Sequence, residues 1–140
     1  MHNDDCIFCK LANGVFETNT IYEDELVRVI LDASPATYGH ALVLPKEHYR
    51  NLFDLDEKYA SHVLVVAKKI ANVMKDVLGC TGLNIMQNNA AVAGQTVFHF
   101  HLHIIPRYDD DNLNLTFNDP APIDAAVAKE LCAKLSNAIN

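Results

Sequence analysis

The segment Val97-Phe98-His99-Phe100-His101-Leu102-His103-Ile104-Ile105 alternates with a period of two. On an extended strand successive side chains point to opposite faces, so His99, His101 and His103 share one face. Phe98, Phe100, Leu102 and Ile104 share the other, which is expected to pack under a helix. An isolated histidine here would be read as a polar residue on an edge strand. Three in one row, on a strand backed by aromatics, call for chemistry. At about 3.4 Å per residue His99 and His103 stand roughly 13 Å apart, so one metal ion reaches two of the three comfortably. A row of imidazoles also suits an anion. A neutral imidazole can attack phosphorus without charge repulsion, and a protonated neighbour can stabilise the developing oxyanion. Just upstream, Gly94-Gln95-Thr96 offers backbone N–H groups and a hydroxyl as a phosphate cradle.

Outward from this strand, the chain reads as antiparallel α+β. Ile21-Tyr22 and Leu26–Leu31 are two strands turning at Glu23-Asp24-Glu25, and His40–Leu44 is a third, stopped by Pro45. Leu83–Met86 is a fourth, and Val97–Ile105 is a fifth, ended by Pro106. Cys6–Asn13 is a short helix closed by Gly14. The clearest helix runs from about Leu55 to Leu78, with Asp54 as its cap, Glu57 completing a capping box and Gly79 at the C-cap. Ala60, Val63, Leu64, Ala67, Ile70, Ala71, Met74 and Leu78 form its apolar stripe. A last helix, Ile123–Ala138, follows Pro120 and Pro122. Strands without regular βαβ alternation predict an antiparallel sheet of five strands with the long helix packed on it. Asp109-Asp110-Asp111-Asn112 reads as a solvated acidic turn.

Composition narrows the function. The 140 residues suit one domain, with a core over about 5–108 and a C-terminal helical extension over about 120–138. Eleven Lys and Arg against eighteen Asp and Glu give a formal charge of −7, which argues against a nucleic-acid surface. The first ten residues carry no apolar core of a signal peptide, and no apolar run approaches the ~20 residues of a membrane span. A cytoplasmic protein is expected, its four cysteines being thiols or metal ligands rather than disulfides. Cys6-x-x-Cys9 alone is half a zinc site. Cys80 and Cys132 read as small apolar residues. His2 is expected to be loose at the terminus, and His62 to lie on the solvated side of the long helix.

His-φ-His-φ-His-φ-φ, as His99 to Ile105, resembles the signature of the histidine triad superfamily of nucleotide hydrolases and transferases. Cys6-Ile-Phe-Cys9, Ile21-Tyr22-Glu23-Asp24, Asp32-Ala-Ser-Pro35 and Gly39-His40-Ala-Leu-Val-Leu-Pro-Lys46 stand before it in the order the resemblance requires. The stretch after Tyr108 looks like the longer, bacterial-type members of the nucleotide-binding branch. The resemblance implies that His101 is the nucleophile, that His103 contacts the transferred phosphate and that His40 shares the proton network. Thr96 would bond phosphate or relay a proton, Asn88 would touch ribose or phosphate, and Gly94 and Gln95 would belong to the cradle. Asp32 would grip the ribose hydroxyls, which suits a carboxylate that accepts two donors. Ile7, Phe8, Leu11, Ile30 and Leu42 would wall the base. By the same resemblance Cys6, Cys9, His48 and His99 would hold a structural zinc, a closed shell with no position for water.

The activity implied by this resemblance is hydrolysis of purine nucleoside phosphoramidates or related conjugates at the α-phosphate, by a homodimer pairing through the long helix. Pro106-Arg107 also resembles the dinucleoside-polyphosphate hydrolase branch, whereas Phe100 and Leu102 replace the prolines of the transferase branch. A nucleotide-binding regulatory protein with incidental catalysis is the alternative from another class, and a hydrolase with catalytic zinc on His99 and His101 is a third.

Overall fold

The structure, a computed structural model, describes residues 2–117 and 121–139; Pro120, expected just before the last helix, lies outside the described residues. Helix α1 (Ile7–Ala12) is followed by strands β1 (Thr20–Glu23), β2 (Val27–Leu31) and β3 (Ala41–Pro45). Helix α2 (Glu57–Leu78) leads to β4 (Gly82–Met86), and after a 3-10 turn at Ala91–Ala93 come β5 (Leu102–Arg107) and helix α3 (Ala125–Ala138). The five strands form one antiparallel sheet in the order β1-β2-β3-β5-β4, the α+β architecture expected from the sequence.

Alternation along the strands sorts side chains between two layers. Val27, Val29, Ala41, Val43, Leu102 and Ile104 pack beneath α2 against Val63, Val66, Ala67, Ile70 and Met74. Ile30, Leu42 and Leu44 turn the other way, onto Ala12, Phe8 and Leu11 of α1. His103 pairs with Leu42 across β3 and β5, which puts its imidazole on the α1 side. Thus α2 supports the sheet from below while α1 leaves room above it for a site.

Several local expectations are corrected. The regular ladder of β5 begins only at Leu102, so His99 and His101 lie on irregular chain before it. The chain there is held by Phe100 N–H donating to the Tyr49 carbonyl at 2.6 Å instead of by a neighbouring strand. Pro45 and Pro106 lie inside their strands, not beyond them: Pro45 opposes Val27, and Pro106 opposes Leu83. The cap of α2 is Asp56, which accepts from Lys58 N–H; Asp54 instead accepts from Arg50 and Asn51 N–H in the preceding turn. Leu64 is exposed and Val66 takes its place in the stripe. Gly79 closes the helix in the left-handed region, as a C-cap glycine should.

His62 is not spare: its Nε2 lies 2.7 Å from Asp24, tying α2 to the β1–β2 turn. Asp111 leaves the solvated acidic run to bind the Arg107 guanidinium at 2.7 Å. His2 is exposed and sits 3.0 Å from Asp4. Cys80 is buried, whereas Cys132 is exposed on α3. That helix begins at Ala125 under an Asp124 cap and buries none of its residues. Among the described residues no helix is long and apolar enough to cross a membrane.

Candidate active site and metal centre

Hydrogen bonds define the state of each imidazole. His101 Nδ1 lies 2.7 Å from the carbonyl oxygen of His99, so it carries the proton and Nε2 keeps a free lone pair. His40 Nδ1 accepts the Ala36 N–H at 3.0 Å, which places its proton on Nε2. That Nε2 faces His103 Nδ1 at 2.9 Å and Asp32 at 3.6 Å. His103 therefore accepts at Nδ1 and holds its own proton on Nε2. Its ring centroid is 5.0 Å from that of His101. A lone pair and an N–H donor thus stand side by side.

Burial pushes His101 and His40 below the ordinary imidazole range, opposed at His101 by the bond to the His99 carbonyl and at His40 by Asp32. His103 falls to about 4, chiefly through burial and then through its His101 and His40 neighbours. The row is neutral near pH 7, as a nitrogen nucleophile requires.

Both rings line a cavity of about 390 Å³, whose wall also includes Thr96, Asp32, Phe8, Leu11, Ile30 and Leu42. Phe8 meets His101 edge to face at 4.9 Å. The structure thus gathers His101, His103, Thr96, Asp32 and most of the apolar residues expected at the base, with buried His40 behind His103. Ile7 lies apart, in a second cavity. Asn88 and Gly94 adjoin each other beside the loop, and neither lines the first cavity. Gln95 is buried, its amide spent on backbone: it donates to the Arg50 carbonyl at 2.7 Å and accepts from Ala90 N–H at 2.8 Å. Glu17, Thr18 and Asn19, which no motif marks in the sequence, join the cavity wall. They precede β1 in a polar stretch with no periodicity, and only the packing of that loop beside β2 brings them in.

Cys6, Cys9, His48 and His99 form a second cluster next to this site. Their ligand atoms all lie within 4.8 Å of one another. His99 Nδ1 is 3.5 Å from Cys6 Sγ and 3.4 Å from Cys9 Sγ, and His48 Nδ1 is 3.4 Å from Cys9 Sγ. Tetrahedral zinc with bonds of 2.0–2.3 Å needs ligand separations of about 3.5 Å, so the set fits. His99 Nε2 donates to the Pro45 carbonyl at 2.9 Å, which turns the lone pair of Nδ1 towards the thiols. Burial pushes the Cys9 thiol up to about 11, a proton that a bound cation would displace.

A neutral imidazole pair beside a carboxylate, on a five-stranded antiparallel sheet, is the arrangement expected of the histidine triad type. The HIT domain family model matches residues 13–110, and the chain belongs to that family, whose members bind and hydrolyse nucleotides. It is 41% identical over 134 residues to an uncharacterized HIT-like protein of Borreliella burgdorferi, covering 94% of this chain and 96% of the relative. Adenosine 5′-monophosphoramidase of Schizosaccharomyces pombe is 36% identical over 106 residues, 76% of this chain and 77% of that one. Among solved structures, a HIT family protein from Bacillus anthracis superposes with a TM-score of 0.91 at 39% identity, over 98% of this chain and 99% of that chain.

Proposed function

We propose that the chain, as one HIT domain with a C-terminal helical extension, hydrolyses purine nucleoside phosphoramidates and related conjugates at the α-phosphorus. The observation that carries this reading is the 2.7 Å contact from His101 Nδ1 to the His99 carbonyl, which reserves Nε2 for attack. The P–N bond of the substrate breaks as the bond from His101 Nε2 to phosphorus forms. The His103 Nε2–H donates to a phosphoryl oxygen, and the leaving amine takes the electron pair and a proton from solvent water. A second water then attacks phosphorus and returns a proton to the solvent, and the P–Nε2 bond breaks to return His101 and release the nucleoside monophosphate. His40 fixes the tautomer of His103 through its own Nε2–H. Asp32 receives the ribose hydroxyls, Thr96 a phosphate oxygen, and Phe8, Leu11, Ile30 and Leu42 flank the base.

Arg107 bears on the choice of branch. Its guanidinium is taken up by Asp111, Asn84 and the Leu113 carbonyl, so it does not serve a polyphosphate at the cavity. Cys6, Cys9, His48 and His99 would hold zinc in a structural role, tying the N-terminal segment to the chain that carries His101. A homodimer is proposed through the outer face of α2, where Val65, Val73 and Val77 are exposed. A cytoplasmic location is proposed as well.

The test is a side-by-side rate measurement on adenosine phosphoramidate and diadenosine tetraphosphate. Faster turnover of the phosphoramidate is expected. Preference for the dinucleotide would move the chain to the other branch, and tight AMP binding without turnover of either would leave a binding protein.

A further inference from the structure

Phe98 breaks the pattern its neighbours keep. Phe100, Leu102 and Ile104 turn under α2 as the alternation requires, but Phe98 remains 41% exposed. The Arg50 guanidinium lies over its ring, 4.9 Å from the centroid. The backbone of Arg50 is pinned to the loop that precedes the triad. Gln95, 3% exposed, donates both to the Arg50 carbonyl at 2.7 Å and to the Val97 carbonyl at 3.1 Å. Asp54 holds the Arg50 N–H at 3.0 Å and accepts from Asn51 N–H with its other oxygen. No ion pair engages the Arg50 guanidinium among the described residues. A cation is therefore presented in the cavity that Thr96 also lines, with no carboxylate bound to it among the described residues.

Arg50 and Phe98 line a second cavity of about 500 Å³ that shares Thr96 and Val97 with the nucleotide cavity. Asp32 and Leu42 line the first cavity alone, whereas Thr96 and Val97 line both. A conjugate with its phosphorus at His101 and Thr96 would direct its departing group across that wall. The charged side chains lining the second cavity, apart from the metal-ligand cluster at its edge, are Arg50 and Asp5. An anion belongs on the Arg50 side, over Phe98.

We propose that the cavity bounded by Thr96, Phe98 and Arg50 receives the leaving group and favours leaving groups that carry their own negative charge. Carboxylate-bearing amines and sulfate are of this kind. The inference rests on the reading of His101 as the site of attack and adds what departs from it. Because Arg50 is exposed, the preference is moderate, about three- to fivefold in kcat/KM, the range of an exposed ion pair.

The experiment compares two adenosine 5′-phosphoramidates that differ in one charge, those of β-alanine and of β-alaninamide. The wild-type protein is expected to favour the carboxylate, with a ratio that shrinks in 0.5 M KCl as screening sets in (a Debye length of about 4 Å). In Arg50→Gln the ratio should approach one, and in Arg50→Glu it should fall below one, whatever the absolute rates do. A wild-type ratio of one, or an unchanged ratio in Arg50→Gln, overturns the inference while hydrolysis stands. No turnover of either substrate by the wild type removes the proposed activity itself, and this inference with it.

Discussion

His40 and His103 meet nitrogen to nitrogen at 2.9 Å, with His40 Nδ1 already occupied by the Ala36 N–H. The proton between them therefore belongs to His40, and His103 is left with its N–H directed away from the contact. With His101 set in the opposite sense by the His99 carbonyl, one ring offers a lone pair and the next one an N–H. Substituting His101 separates chemistry from binding. His101→Asn is expected to lower turnover of adenosine phosphoramidate by about 10³-fold or more while AMP still binds, as calorimetric titration would show. Undiminished rates would exclude His101 as the nucleophile.

Asp32 lines the cavity, with one oxygen held by Ser34 N–H at 2.8 Å and the other 3.6 Å from His40 Nε2. Asp32→Asn should raise KM for ribonucleotide conjugates roughly tenfold or more, since a hydrogen bond to a charged group is worth about 1.5–3 kcal/mol. A 2′,3′-dideoxy substrate should scarcely notice the change. Equal losses on both substrates would remove the ribose from Asp32.

Acid should destabilise the fold through the histidine row. An unfolded histidine titrates near 6.5, whereas His103 is held to about 4 by burial. Between those values the unfolded chain binds a proton that the folded chain refuses, so stability falls as pH drops through that window and levels off above it. Thermal unfolding scanned from pH 7.5 to 4.5 should show a declining midpoint, with a shallower decline in His103→Gln. Parallel curves for the two proteins would contradict this.

Protein purified without chelator is expected to carry about one zinc per chain by elemental analysis. Cys9→Ser should lose the metal and at least ~2 kcal/mol of stability, which lowers the midpoint by about 4–8 °C for a chain of this size. Cys80→Ser should keep the metal, because Cys80 is buried away from the cluster. A zinc-free preparation of full stability would rule the site out.

Two glycines in the left-handed region should respond differently to a methyl group. At Gly39, with φ +90°, a Cβ would stand 2.6 Å from Leu78 Cδ1, so Gly39→Ala should cost ~2–3 kcal/mol in strain and repacking. Around Gly79 nothing lies within 4 Å, and Gly79→Ala should cost only the backbone term of ~1 kcal/mol. Chemical denaturation of both variants checks the order.

The sequence by itself determined whatever rests on local periodicity and local chemistry. The alternation from Phe100 to Ile104 set the histidines against the core, the 3.6-residue stripe and Gly79 set α2, and the order of motifs marked the family. Tertiary structure decided the rest, because those features depend on which distant groups satisfy a donor or cover a surface. The strand signal extended to Val97, yet the ladder starts at Leu102 because Phe100 N–H finds the Tyr49 carbonyl instead of a strand partner. Gln95 looked like part of a phosphate cradle, but its amide is consumed by carbonyls of Arg50 and Val97, one of them 45 residues away in the chain. Spacing shows that histidines share a face. Which nitrogen of each keeps its lone pair was settled only when the carbonyls of His99 and Pro45 and the amide of Ala36 came within hydrogen-bonding reach.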